Sequence, residues 1–97
     1  MNIKYLSSAL NDITWWRKYY RQTFPEGKTS AVRQLLAAEG LLKQNPGLGV
    51  KVEGRELRKL IIPNTPFMIV YRVKQNTVEI IRIWDMRQNP IYGFQES

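Results

Sequence analysis

Ninety-seven residues, 43% of them hydrophobic, are enough for one domain with one modest core. The chain has no cysteine and no histidine, which excludes disulfides, thiolate catalysis, a histidine base, histidine-ligated metals and a Ser-His-Asp triad. Fifteen Lys and Arg against eight Asp and Glu give a net charge of +7, so the expected partners are polyanions or acidic proteins.

The charge is spread along the chain: seven basic and three acidic residues in 1–44, eight and five in 45–97. No Lys/Arg block marks one patch, and a plain solvated basic surface is the alternative reading. No apolar run approaches the roughly 18–20 residues of a membrane span. The opening MNIKYLSSALNDITWW lacks the apolar stretch of a signal peptide, so a cytoplasmic location is expected.

Residues 2–6, NIKYL, alternate and read as a first strand. Ser7 or Ser8 then caps a helix by accepting backbone N–H bonds. Ala9, Ile13, Trp16 and Tyr20 recur at three- and four-residue steps and form its apolar stripe, with Trp15 and Tyr19 as a second aromatic strip. Pro25 and Gly27 break it. Thr29 or Ser30 caps a second helix, with Val32, Leu35, Leu36, Ala38 and Leu42 as its apolar face, and NPGLG (45–49) ends it. The short turn between them makes an antiparallel helical hairpin.

RELRKLII (55–62), FMIVYRV (67–73) and VEIIRIWDM (78–86) read as three strands. A two-residue turn at Gln75-Asn76 sets a register in which Val73 faces Val78, Arg72 faces Glu79, Tyr71 faces Ile80 and Phe67 faces Trp84. The expected fold class is α+β: an N-terminal strand, a two-helix antiparallel hairpin, then three antiparallel strands, in one domain over residues 1–97.

Arg72 is expected to pair with Glu79. Arg82 is expected to lay its stem on aromatic neighbours and send its head to Asp85 or solvent. Arg87 lies past the last strand, within reach of a partner, and Asp85 can orient Arg87 or Arg82. Tyr92 either docks the tail or acts in a site. Trp15 and Tyr19, flanked by Arg17, Lys18 and Arg21, form a protein-binding strip unless the tail or the second helix covers them. Arg55, Arg58 and Lys59 form a basic cluster. NPGLGVKVEG lacks the spacing of a phosphate-binding loop, no carboxylate cluster suggests a metal, and no cofactor is expected.

TPFMIVYRVKQNTVEIIRIWDMRQNP and LLKQNPGLGVKVEGRELRKLIIP resemble the corresponding stretches of the RelE/ParE toxin superfamily of type II toxin–antitoxin systems. The resemblance spans nearly the whole chain. It implies one of two activities: ribosome-dependent mRNA cleavage, as in RelE-like members, or inhibition of DNA gyrase, as in ParE-like members. Against the ribonuclease set, Arg87 sits at the late arginine, Tyr92 falls one residue short of the tyrosine, and Lys59 matches one of two lysines. Ile61 and Met68 stand where a second lysine and an arginine are expected. Those two losses point to the ParE-like branch. The ribonuclease alternative, with Arg87, Tyr92, Lys59 and Arg58 at its site, stays open because Arg55 and Arg58 can compensate. By the same resemblance, the helical hairpin with Trp15, Tyr19, Arg17 and Arg21 is the surface that acts on gyrase. A small acidic, partly disordered antitoxin is the implied partner.

Overall fold

The computed structural model describes residues 1–88. β1 (Asn2–Tyr5) leads into α1 (Ser7–Gln22); a 3₁₀ turn (Pro25–Gly27) joins α1 to α2 (Lys28–Gln44). Four strands follow: β2 (Val50–Lys51), β3 (Arg58–Ile61), β4 (Phe67–Lys74) and β5 (Thr77–Asp85). They form one sheet in the order β1-β5-β4-β3-β2. β1 runs parallel to β5 and the other neighbours are antiparallel. The two-residue β2 was too short to register as a pattern. The strand expected over 55–62 narrows to Arg58–Ile61, because Gly54 turns with φ +75° and the Arg55 N–H donates to the Val52 carbonyl.

One face of the sheet carries the main core. Phe67, Ile69, Tyr71, Val78, Ile80 and Ile83 pack against Ala9, Trp16 and Tyr20 of α1 and Ala31, Leu35, Ala38 and Leu42 of α2. Leu36, expected in this core, is exposed: one step round the helix from Leu35, it lies in a groove between the helices. On the opposite face Met68 and Val70 are buried under Leu57 and Trp84, and neither helix contributes to this second cluster.

Neither helix is capped as expected. The α1 N-cap is Leu6, whose N–H donates to the Ile80 carbonyl and whose own carbonyl accepts from Leu10. β1 therefore runs into α1 without a loop, and both serines lie inside the helix. α2 begins at Lys28 with Gly27 as N-cap, because the 3₁₀ turn passes directly into it.

The hairpin turn at Gln75 and Asn76 is as read, with both residues left-handed (φ 51° and 61°). The register holds from Val73–Val78 through Arg72–Glu79 to Tyr71–Ile80. It then breaks. Val70 faces Arg82, which leaves Ile81 as an extra residue in β5. Beyond this bulge Phe67 faces Asp85, not Trp84, and Met68 faces Trp84.

The bulge is held from α1. Ser8 Oγ donates to the Ile81 carbonyl at 2.7 Å, and Asp12 Oδ2 accepts the Ile83 N–H at 2.9 Å. Arg82 donates to both oxygens of Asp12, at 2.7 and 3.0 Å, with its guanidinium 5.1 Å from the Trp84 ring centre. It is the head of Arg82, not its stem, that lies over the aromatic neighbour, and the carboxylate it finds is Asp12, not Asp85.

The loop after α2 is fastened by a buried hydroxyl. Tyr71 Oη donates to the Pro46 carbonyl (2.7 Å) and accepts the Gly49 N–H (2.8 Å). A Cβ at Gly49 would come within 2.7 Å of that hydroxyl and 2.9 Å of the Lys59 carbonyl, so the close approach requires glycine. Tyr71→Phe leaves both backbone groups without their partner and is expected to cost about 1–3 kcal/mol. The check is a lower denaturant midpoint with an unchanged m-value; a midpoint equal to wild type contradicts it.

Candidate functional site

The bulge decides which side chains β5 shows to α1. Ile83 and Asp85 face the helices, while Trp84 joins Met68 on the other side. Asp85 therefore arrives, buried, beside Phe67 and under the aromatic residues of α1.

Arg87 closes over it. Its Nε and Nη2 donate to the two Asp85 oxygens at 2.9 and 2.8 Å, and its backbone N–H donates to Asp85 Oδ1 at 2.9 Å. Its Nη1 donates to Tyr19 Oη at 3.1 Å, and the guanidinium lies 4.7 Å from the Tyr19 ring centre. Tyr19 in turn stacks on Trp15, with centroids 5.8 Å apart, and meets Phe67 edge-on at 5.7 Å. Arg87, expected to be within reach of a partner, is half exposed (side chain 50%) but fixed in place by a carboxylate and a ring.

Trp15 and Tyr19 form one surface, with Trp15 44% exposed. Lys18, Gln22 and Thr23 share their hollow. Arg17 lies on another flank, in the groove between the helices beside Leu10, Ile13, Leu36 and Glu39. Arg21 is exposed in the last turn of α1. Of the cations expected beside the aromatic pair, Lys18 is the one that lines the hollow.

The proposed ribonuclease residues do not converge among the described residues. Arg87 lies against α1. Arg58 donates to the Gly49 and Gly47 carbonyls at 2.8 and 3.3 Å. Lys59 lies on the helix-free face, in a groove of about 420 Å³ lined by Leu48, Val50, Ile61, Met68, Trp84 and Met86. Tyr92 lies outside the described residues. No group of three or more acidic residues among those described is placed to hold a metal ion.

Sequence reading missed Ser8 and Asp12 as anchors. A lone aspartate 70 residues from its arginine leaves no local signal.

Burial acts to raise the pKa of the Asp85 carboxyl, but the Arg87 guanidinium and backbone N–H together outweigh it and hold the group below the usual carboxylate range. The hydrogen bond to Asp85 pushes Arg87 upward, so the pair stays charged. A folded value below the unfolded one gives stability that is complete above the unfolded pKa, near ~4, and lost as pH falls through the folded pKa. Asp85→Asn is therefore expected to cost about 1–3 kcal/mol at neutral pH. Its deficit against wild type should shrink as pH drops below ~4. A deficit that stays constant across that range in denaturant titrations contradicts the ion pair's role.

The family profile described as ParE toxin of type II toxin–antitoxin system, parDE, matches residues 3–90. A solved structure of the chromosomal ParDE toxin–antitoxin system from P. aeruginosa is similar at 29% identity and a TM-score of 0.69, covering 86% of this chain and 92% of that one. The isolated E. coli RelE toxin shares the fold, with a TM-score of 0.62 at 18% identity, covering 98% of this chain and 94% of that one. A search of curated proteins returns no match. With a profile match that runs from β1 past the Arg87 lock, the chain belongs to the ParE toxin family of type II toxin–antitoxin systems.

Proposed function

We propose that this toxin arrests growth by inhibiting DNA gyrase and is neutralised by a small acidic antitoxin. The observation that carries the gyrase reading is the makeup of the helix-free sheet face. Cutting RNA through its own 2′-hydroxyl requires a base, positive charge on the phosphate and an acid for the leaving oxygen. Without histidine, clustered cations must supply most of that. Here Ile61 and Met68 occupy two of the relevant positions, inside an apolar groove whose lining includes one cation, Lys59. The other two cations of the set have other work: Arg58 on loop carbonyls, Arg87 on Asp85 and Tyr19. Profile membership and the ParDE relative support the same branch.

The surface proposed to meet gyrase is the Trp15–Tyr19 pair with Lys18, and Arg21 in the last turn of α1; Arg17, in the groove between the helices, falls outside it. An exposed tryptophan stacked on a tyrosine held from behind is a rigid apolar anchor of the kind that dominates protein interfaces. In a supercoiling assay with purified gyrase, the wild-type chain is expected to inhibit, and Trp15→Ala to inhibit at least roughly tenfold less well. A chain that leaves supercoiling untouched but cleaves mRNA on programmed ribosomes overturns the reading. Arg87, Tyr92, Lys59 and Arg58 then become the residues to replace.

A further inference from the structure

The groove between the two helices carries opposite charges at its two ends. Leu10, Ile13, Val32 and Leu36 line its apolar middle. α1 and α2 run antiparallel, joined by the short turn at Pro25–Gly27, so Arg17 lies at the turn end of the groove. Glu39 lies at the other end, toward β1, where the Tyr5 hydroxyl donates to it. Leu10 to Arg17 on α1, and Val32 to Glu39 on α2, each span about 10 Å of helix axis. Arg17 is exposed and makes no ion pair or hydrogen bond among the described residues. Leu10 and Leu36 are 55% and 60% exposed, although both are aliphatic. One turn beyond Leu36 stands Gly40, a residue that weakens a helix interior relative to alanine. A Cβ there would meet nothing within 4 Å, so the chain's own packing does not require the glycine.

We propose that this groove is an interface between two copies of the chain, related by a twofold axis across its middle. In such a contact the same patch meets itself with its ends exchanged. Arg17 of each copy then pairs with the partner's Glu39, and the exposed leucines of the two copies close over one another. Gly40, beside Glu39, lets the partner's helix approach closely. An acidic antitoxin segment suits the groove less well, because it would meet a carboxylate at one end for the cation it gains at the other. The chain's +7 opposes association, but charges more than about 8 Å apart are largely screened at physiological salt, whereas the crossed pairs are in contact. The Trp15–Tyr19 hollow shares no lining residue with the groove, so both copies keep that surface open.

Sedimentation equilibrium of the purified full-length chain tests this. At on the order of 100 μM the wild type is expected to sediment as a dimer. Arg17→Glu and Glu39→Lys alone are each expected to associate at least roughly tenfold more weakly, because each sets like charges against one another at both ends. An equimolar mixture of these two variants is expected to regain wild-type association, since every crossed pair again joins opposite charges. Leu36→Glu, at a position exposed in the single chain, breaks the apolar middle independently, and thermal melts confirm that each variant folds. A wild type that stays monomeric at that concentration overturns the proposal. So does wild-type association in all three variants, or a mixture that stays as monomeric as its components. A monomeric wild type whose Leu36→Glu variant fails to bind the acidic antitoxin assigns the groove to that partner and overturns it too.

Discussion

One extra residue in β5 organises this molecule. Without the bulge at Ile81, the alternation of the strand would put Trp84 under the helices and Asp85 on the opposite face. With it, the carboxylate goes inward and the tryptophan outward. The bulge survives because α1 satisfies the backbone that it frees: Ser8 takes the Ile81 carbonyl and Asp12 the Ile83 N–H. Asp12 also anchors Arg82, so one side chain fixes the helix, the strand edge and a cation. β1 pairs with β5 only as far as Ile80, which leaves this edge open to α1.

Both candidate surfaces follow from that slip. On the helix side Asp85 captures Arg87, and Arg87 lies on Tyr19, so the Trp15–Tyr19 stack has a charged, hydrogen-bonded backing. On the far side Trp84 meets Met68 and closes one wall of an apolar groove. By the RelE/ParE resemblance, Ile61 and Met68 in this groove stand where catalytic cations are expected. Residues that would serve phosphate chemistry if clustered are instead divided between two faces: Arg58 holds loop carbonyls and Arg87 holds Asp85 and Tyr19, while Lys59 lines the groove.

Much of this could be read from the sequence because it is encoded locally. The helical stripe of Ala9, Trp16 and Tyr20, the breaks at Pro25 and Asn45, the left-handed pair Gln75-Asn76 and the Arg72–Glu79 ion pair all depend on neighbours or on a two-residue turn. The Asp85–Arg87 contact spans two residues and is equally local. The rest depended on distant residues. The bulge has no glycine or other turn residue to announce it. Ser8 reads as a cap and Asp12 carries no local signal, because their partners lie 73 and 70 residues away. The Tyr71 hydroxyl reads as part of a buried aromatic until the loop at Pro46–Gly49 folds over it. The split between Arg87 and Lys59 is likewise a property of the assembled sheet.

The proposed gyrase inhibition, as against mRNA cleavage, is decided in growing cells. DNA and protein synthesis are followed by pulse-labelling in one culture after the chain is induced. A gyrase inhibitor makes DNA synthesis fall first while translation continues. Translation collapsing within minutes while DNA synthesis persists would contradict it.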